Sequence, residues 1–419
     1  MPAPIEALIA FLLAGTLALL MVPLTDRLAR RIGAIDYPDD QRSLHTAPTP
    51  RLGGMAIFAA VLAAALIWLP WDAETRAIVI GAALITAVGM LDDIYELGAA
   101  PKLLGQTVAV IVPVSAGVTV DSFTVPFLGQ LNPGSVELLS LPGGGAIDLG
   151  DVGTTIAIVA MINVINLIDG VDGLAAGVCV ISGVALAVIA LSLDRNPAGV
   201  LAALTAGAAL GFLRHGFPPA STFMGDTGSN LLGYLLGVVA VQGALKTNAV
   251  IALFLPLIIL AVPILDTGFV VAKRLKYGRP VYKADRWHFH HRMENIGFSQ
   301  RRTLAYLYGW TLVMAALALA LRFVPYSDNH GHFDVFWSAV TAAFGLLALV
   351  ASVYLVEVLE ILNLRRLRLR QLVTVRRDAG RPVPGAEQVD LAVARELETG
   401  SFPAVDPDTG EFEAIPPDR

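Results

Sequence analysis

Long apolar runs separated by short polar breaks set the pattern of this chain. Residues 77–91, AIVIGAALITAVGML, carry no charge, and the run then stops on two adjacent carboxylates, Asp92 and Asp93. A helix that crosses a bilayer needs about 20 mostly apolar residues. Eleven stretches approach that requirement, at 5–25, 53–70, 77–91, 103–119, 152–168, 174–193, 198–213, 228–244, 248–272, 303–322 and 335–361. The expected fold is an all-α polytopic membrane protein with about eleven transmembrane helices. The first stretch lacks a basic leader and a small-residue cleavage site, so it is expected to persist as a helix.

Composition agrees with the pattern. Hydrophobic residues make up 55% of the chain and charged residues only 15%, against about 25% charged in soluble domains. Mean hydropathy is +0.67. The single cysteine, Cys179, excludes a disulfide framework and a Cys-based metal site. There is no G-x-x-x-x-G-K-[ST] loop and no G-x-G-x-x-G, so a nucleotide must be held by other means.

Charge placement orients the chain. With eleven spans, only Arg76, Arg195, Lys246 and Arg322 of the 29 basic residues fall on the side reached after even-numbered helices. The positive-inside rule makes the other side cytoplasmic and puts the N-terminus outside. The long outer loop 120–151 lacks Lys and Arg; its segments SFTVPF and SVELLSL, parted by Gly and Pro, suggest a small extracytoplasmic β-hairpin. A transmembrane domain over 1–362 is followed by a basic interfacial helix at 363–377 and a cytoplasmic tail at 378–419, rich in Pro, Gly and acids and expected to be disordered.

Five polar clusters interrupt the apolar background, at 39–54, 92–106, 163–177, 223–230 and 278–293. They follow helices one, three, five, seven and nine, so all five face the same side and can converge on one site. Asp92, Asp93, Asp169, Asp172 and Asp226 would repel one another near a low-dielectric boundary unless a cation joins them. An oxygen-only donor set suits Mg²⁺, or Mn²⁺, better than zinc. Acids at helix ends can also merely mark the membrane surface, but five on one face make that a weak account.

Asn163, Asn166, Asp169 and Asp172 recur at three-residue spacing, which on a helix makes one polar stripe. Hydrogen bonding between membrane helices competes as an explanation for Asn163, less well for the aspartates. The loop from Lys273 to Arg302 supplies positive charge. In it Arg279 and Arg292 suit phosphate, and His288, His290 and His291 suit sugar or phosphate better than zinc, because no nearby Cys or acid completes a zinc set. A transporter of anionic substrates is the competitor from another class; it predicts charges near the midplane, where only Asp266 lies.

The motifs RLGG, LDD…K…Q, NxxNxxDGxDGL, FMGDTGS, PILDT and DRWHFHHRM, in order over about residues 1–325, resemble the polyprenyl-phosphate N-acetylhexosamine-1-phosphate transferases. The resemblance implies a multi-pass enzyme of the bacterial cell membrane with its active site on the cytoplasmic face. Such an enzyme transfers a sugar-1-phosphate from a UDP-N-acetylhexosamine to undecaprenyl or decaprenyl phosphate and releases UMP. This is the first membrane step of a cell-envelope glycan such as lipopolysaccharide or teichoic acid. By the same resemblance Asp92 and Asp93 engage the lipid phosphate, one of them as base, and Lys102 belongs to the phosphate region. Asp226 is the principal Mg²⁺ ligand with Asn166 beside it. Phe223 stacks on uracil, and Asp169 and Asp172 lie near the uridine. The D-x-x-H-x-H-H-R pattern favours UDP-GlcNAc-type donors over UDP-MurNAc-pentapeptide, whose branch has three consecutive histidines. Glu96 stands where some members have Asp. The partners implied are membrane lipid, both substrates and a second copy in a homodimer; no nucleic acid is expected.

Overall fold

The computed structural model describes residues 2–37, 48–125, 129–140, 146–245, 250–276, 289, 293, 298–325 and 334–354. The chain opens with α1 (Ala3–Ile32), a two-stranded sheet of β1 (Ile35–Asp36) and β2 (Thr49–Pro50), then α2 (Gly53–Trp68), α3 (Ala73–Tyr95) and α4 (Ala99–Ser115). Two further strand pairs follow, β3 (Phe123–Val125) with β4 (Gly129–Leu131) and β5 (Glu137–Ser140) with β6 (Ala146–Asp148). Next come α5 (Leu149–Ile168), α6 (Leu174–Ser192), α7 (Asn196–Gly216) and α8 (Gly225–Ala240), which runs into a π turn at Val241–Leu245. The last described helices are α9 (Val250–Ile259), α10 (Ala261–Lys276), α11 (Gln300–Phe323) and α12 (Val335–Val353).

Seven of these, α1, α3, α5, α6, α7, α11 and α12, are long and apolar enough to cross a membrane. The architecture is therefore α-helical and polytopic. It differs from the hydropathy reading in two places. The expected span 248–272 is divided at Leu260 into α9 and α10. The expected single hairpin is two hairpins, because a 3₁₀ turn at Pro133–Ser135 separates β4 from β5 and each strand pairs with its nearer neighbour. The basic segment 363–377 and the tail 378–419 lie outside the described residues.

Local signals fix the ends that matter. The carboxylate of Asp72 caps α3 by accepting from Thr75 N at 2.8 Å. At the other end the chain leaves α3 through Glu96 in the left-handed region, φ 50°. A reciprocal capping box starts α5: Asp151 N donates to Asp148 Oδ1 at 2.8 Å, and Asp148 N to Asp151 Oδ2 at 3.2 Å.

Two compact units emerge, Met1–Leu265 with Leu304–Gly345, and Asp266–Thr303 with Leu346–Arg419. In the first, α1 turns small residues inward and large ones outward. On α1, Ala7, Ala10, Ala14 and Ala18 are buried against the bundle while Leu8, Leu12 and Leu20 are exposed. A Cβ on Gly211 of α7 would stand 2.1 Å from the carbonyl oxygen of Gly15, so these two helices meet backbone to backbone. Between lipid tails and Leu there is no hydrophobic contrast, and close packing of small residues holds membrane helices together instead. In the second unit, Asp266 Oδ1 accepts from Phe289 N at 2.8 Å and the rings of Phe269 and Phe289 lie 6.0 Å apart.

Candidate active site

The site gathers where α3 ends, α4 and α8 begin, and α5 ends. Asp92 and Asp93 occupy the last turn of α3, Lys102 the first turn of α4, Asn166 the last turn of α5 and Asp226 the first turn of α8. Lys102 Nζ is 2.8 Å from Asp92 Oδ2, forms an ion pair with Asp226 Oδ2, and donates to Asn166 Oδ1 at 3.3 Å. Asn166 Nδ2 donates to Asp226 Oδ1 and to Ser229 Oγ, each at 2.9 Å. Three oxygen-bearing side chains from three helices thus converge on one ammonium.

Asp93 does something different from its neighbour. Its Oδ1 accepts from Asp226 N at 2.8 Å, and its Oδ2 accepts from Thr227 N at 2.9 Å and Thr227 Oγ1 at 2.6 Å. A carboxylate at the positive end of α8 satisfies amides that the helix leaves unpaired. Close contact makes this possible. A Cβ on Gly54 of α2 would lie 2.1 Å from Gly228 N, and Gly225, at φ +68°, has no room for one beside Asp93 Oδ2 at 2.5 Å. The RLGG segment is clipped to the same loop, with Phe223 N donating to Pro50 O at 2.8 Å and Gly53 N to Phe223 O at 3.0 Å. Phe223 is thereby held half-buried on the loop entering α8.

The four-residue polar stripe is only half realised. Helix α5 stops at Ile168, so Asn163 and Asn166 share its face while Asp169 caps the end and Asp172 sits in the following turn. Asn163 Nδ2 donates to Gln106 Oε1 at 2.7 Å, one turn deeper than the Lys102 cluster. Asp172 Oδ2 accepts from Ala220 N at 3.0 Å, tying its turn to the loop before Phe223. The half-buried Asp169 carboxylate accepts from no donor among the described residues. Burial, and then the negative charges of Asp226, Asp93 and Asp172, hold it well above the usual carboxylate range.

Arg279, His288, His290, His291 and Arg292 lie outside the described residues. Thr227, Ser229 and Tyr308 were not singled out from the sequence. The first two are hydroxyls within the FMGDTGS segment, so position next to Asp226 was their signal. Tyr308 of α11 donates to Gly173 O at 2.6 Å and steadies the turn that carries Asp169 and Asp172; an aromatic residue inside an apolar span gives no such sign.

As donors for a dication, the carboxylate oxygens of Asp92 and Asp226 and the amide oxygen of Asn166 fit magnesium chemistry, and they already close on a cationic group. Among the described residues no three His, Cys, Asp or Glu side chains stand together as a complete cage. Substrate phosphate and water would have to complete the shell, which is how Mg²⁺ is commonly held.

A bundle of membrane helices with carboxylates, a lysine and an amide drawn together at the helix ends describes an integral membrane enzyme acting on phosphorylated substrates. The family described as "Glycosyl transferase family 4" matches residues 75–244, which contain every one of these groups. A "Probable undecaprenyl-phosphate N-acetylglucosaminyl 1-phosphate transferase" of Bacillus subtilis (strain 168) is 38% identical over 320 residues, covering 75% of this chain and 85% of that protein. A "Decaprenyl-phosphate N-acetylglucosaminephosphotransferase" of Mycolicibacterium smegmatis is 36% identical over 316 residues, 69% of this chain and 75% of the relative. A "Phospho-N-acetylmuramoyl-pentapeptide-transferase" of Desulforudis audaxviator is 35% identical over 349 residues, 76% of this chain and 98% of the relative. The chain belongs to the polyprenyl-phosphate N-acetylhexosamine-1-phosphate transferase family.

Proposed function

We propose that this protein transfers N-acetylglucosamine-1-phosphate from UDP-N-acetylglucosamine to a polyprenyl phosphate, releasing UMP. The observation that carries the reading is the convergence of Asp92, Asn166 and Asp226 on Lys102 at the ends of membrane helices. One substrate keeps its tail in hydrocarbon and its phosphate at the surface, and the helix ends are where such a phosphate can be met. An oxygen of the lipid phosphate forms a bond to the β-phosphorus of the donor. The bond from that phosphorus to the bridging oxygen breaks, and its electron pair leaves with UMP.

Residue roles follow from what each side chain is already committed to. Asp93 spends both oxygens on α8 and acts by positioning Asp226. Asp92 faces Lys102 and is the carboxylate suited to take a proton from the incoming phosphate, whose second ionisation lies near pH 6. Lys102 neutralises phosphate charge at the reacting end. Asp226 and Asn166 would hold Mg²⁺, which when bound supplies Lewis-acid neutralisation of the diphosphate. The reading assigns the nucleoside to Asp169, whose carboxylate has no donor of its own among the described residues, and to the half-buried Phe223. Asp172 orients that turn. On sequence grounds Arg279, His288, His290, His291 and Arg292 are assigned to the donor, in a segment that the basic-residue asymmetry makes cytoplasmic.

A UDP-MurNAc-pentapeptide donor is the second reading, since a relative of that name is 35% identical. The test is UMP release by purified protein with polyprenyl phosphate and each donor in turn. Turnover with UDP-N-acetylglucosamine and none with the muramoyl pentapeptide is expected. The reverse would transfer the protein to the other branch, and no UMP from either would refute the reaction.

A further inference from the structure

One helical turn below the Lys102 cluster lies a second polar layer that the proposed chemistry does not use. Gln106 follows Lys102 by four residues on α4, Asn163 precedes Asn166 by three on α5, and Asn230 follows Asp226 by four on α8. Each deep residue therefore shares a helix face with one residue of the site. Gln106 and Asn230 are both 0% exposed. Gln106 Oε1 accepts from Asn163, yet Gln106 Nε2 and both amide atoms of Asn230 have no hydrogen-bond partner among the described residues.

Helix geometry turns Asn230 toward the helix that carries Gln106. On α8, Gly233 abuts the backbone of Met161 and Ile162 on α5, while Tyr234 reaches α3, where its hydroxyl donates to Ile78 O at 3.0 Å. With about 100° per residue, Asn230 projects between these two directions, into the groove that α4 covers. Contacts above and below fix the level: Lys102 meets Asp226, and a Cβ on Gly81 would touch both the Tyr234 hydroxyl and Ala109 O. Gln106 and Asn230 lie between those contacts at matching heights.

A buried amide left without partners is costly, and inside a bilayer the bundle offers no bulk water. A water molecule satisfies such groups when two to four polar atoms surround it. It can accept from Gln106 Nε2 and Asn230 Nδ2 and donate to Asn230 Oδ1, a mixed set that suits water better than a cation. We infer that Gln106, Asn163 and Asn230 bind internal water that ties α4, α5 and α8 together beneath the site. Gln106 and Asn230 are then positioning residues: they set the height of Lys102 and Asp226 relative to Asn166. The role rests on the transferase reading, but the water does not.

The test pairs structure with kinetics. A structure of the intact protein in a nanodisc, at a resolution that shows water, should reveal density at hydrogen-bond distance from Gln106 Nε2 and Asn230. The nearly isosteric Asn230→Leu should lose that density, keep or raise its melting temperature, and lower kcat by about tenfold while donor KM stays within about threefold. Asn230→Ser, which keeps a hydroxyl and leaves room for a second water, should retain most of kcat, and Gln106→Leu should repeat the Leu effect if Asn230→Leu fails to fold. A dry layer in the wild type overturns the water site; wild-type kcat in both Leu variants overturns the positioning role. A wild type inactive with every UDP-sugar would count against the proposed reaction, and the density would still decide the water site.

Discussion

Lys102 and Asp226, 124 residues apart, form an ion pair that joins the start of α4 to the start of α8. Asp92 shares the same ammonium at 2.8 Å. Lys102→Met should leave two largely buried carboxylates without their cation and lower turnover by about 100-fold or more. It should also reduce melting temperature in EDTA, with Mg²⁺ recovering more stability than it adds to the wild type. A Mg²⁺ effect equal in both proteins would remove the argument that cation and lysine serve the same oxygens.

Metal removal gives a second check. EDTA should stop UMP release by the wild type, and excess Mg²⁺ should restore it. Asp226→Asn should stay below about 1% activity at any Mg²⁺ concentration. Undiminished turnover in EDTA would rule out the dication.

The three hydrogen bonds of Asp93 separate holding from reacting. Thr227→Val removes one of them and should cost about 1 kcal/mol of stability, with kcat changed by only a few-fold. Asp93→Ala removes all three, leaves the first amides of α8 unpaired, and should cost more in both stability and kcat. Thermal unfolding in detergent alongside UMP release measures both. Equal losses in the two variants would show that Asp93 adds nothing beyond its bond to the threonine hydroxyl.

Asp169 gives a pH dependence of definite sign. Its pKa in the fold is raised by burial and by neighbouring acids, so ionisation destabilises the fold above the ordinary carboxylate range and that penalty fades as pH falls through the raised pKa. At pH 7.5, without substrate, Asp169→Asn should raise the melting temperature by about 1–3 °C. At pH 4 or below the gain should vanish. Donor affinity should fall in the same variant if the carboxylate receives the nucleoside as proposed. A gain independent of pH would mean that repulsion is not its source.

Orientation can be read with single cysteines, since the native Cys179 is buried and silent to aqueous reagents. A cysteine at Asn132, exposed between β4 and β5, should label from outside the cell, and one beside Arg279 only after the cytoplasmic side is opened. The opposite pattern would place the carboxylates away from cytosolic nucleotide sugars.

Much of this candidate site was legible in the sequence because its parts are charged or amide groups at the ends of apolar runs, where an unpaired polar group has a high energetic cost. Asp92, Lys102, Asn166 and Asp226 each broke an apolar segment, and the fold brings them within reach of one another. The three-residue spacing misled beyond Ile168, since helix α5 ends there and Asp172 turns to the amide of Ala220. The unequal duties of Asp92 and Asp93 were also hidden. Adjacent residues on a helix point about 100° apart, and only the approach of α8 decides which one caps it. Tyr308 was invisible because its role is a single hydroxyl reaching a carbonyl from an otherwise apolar helix. Hydropathy found the apolar run at 248–272 but not its division at Leu260, for a window average does not register a local turn.

The seam where Gly54 meets Gly228 restricts how this enzyme could be re-engineered. Two backbones in contact leave less clearance than a methyl group, so the start of α8 cannot be raised, lowered or padded without displacing Asp226. Phe223, clipped to Pro50 and Gly53, belongs to the same fixed seam. The height of Asp226 relative to α2 is a fixed dimension of the scaffold, like the stop on a drill.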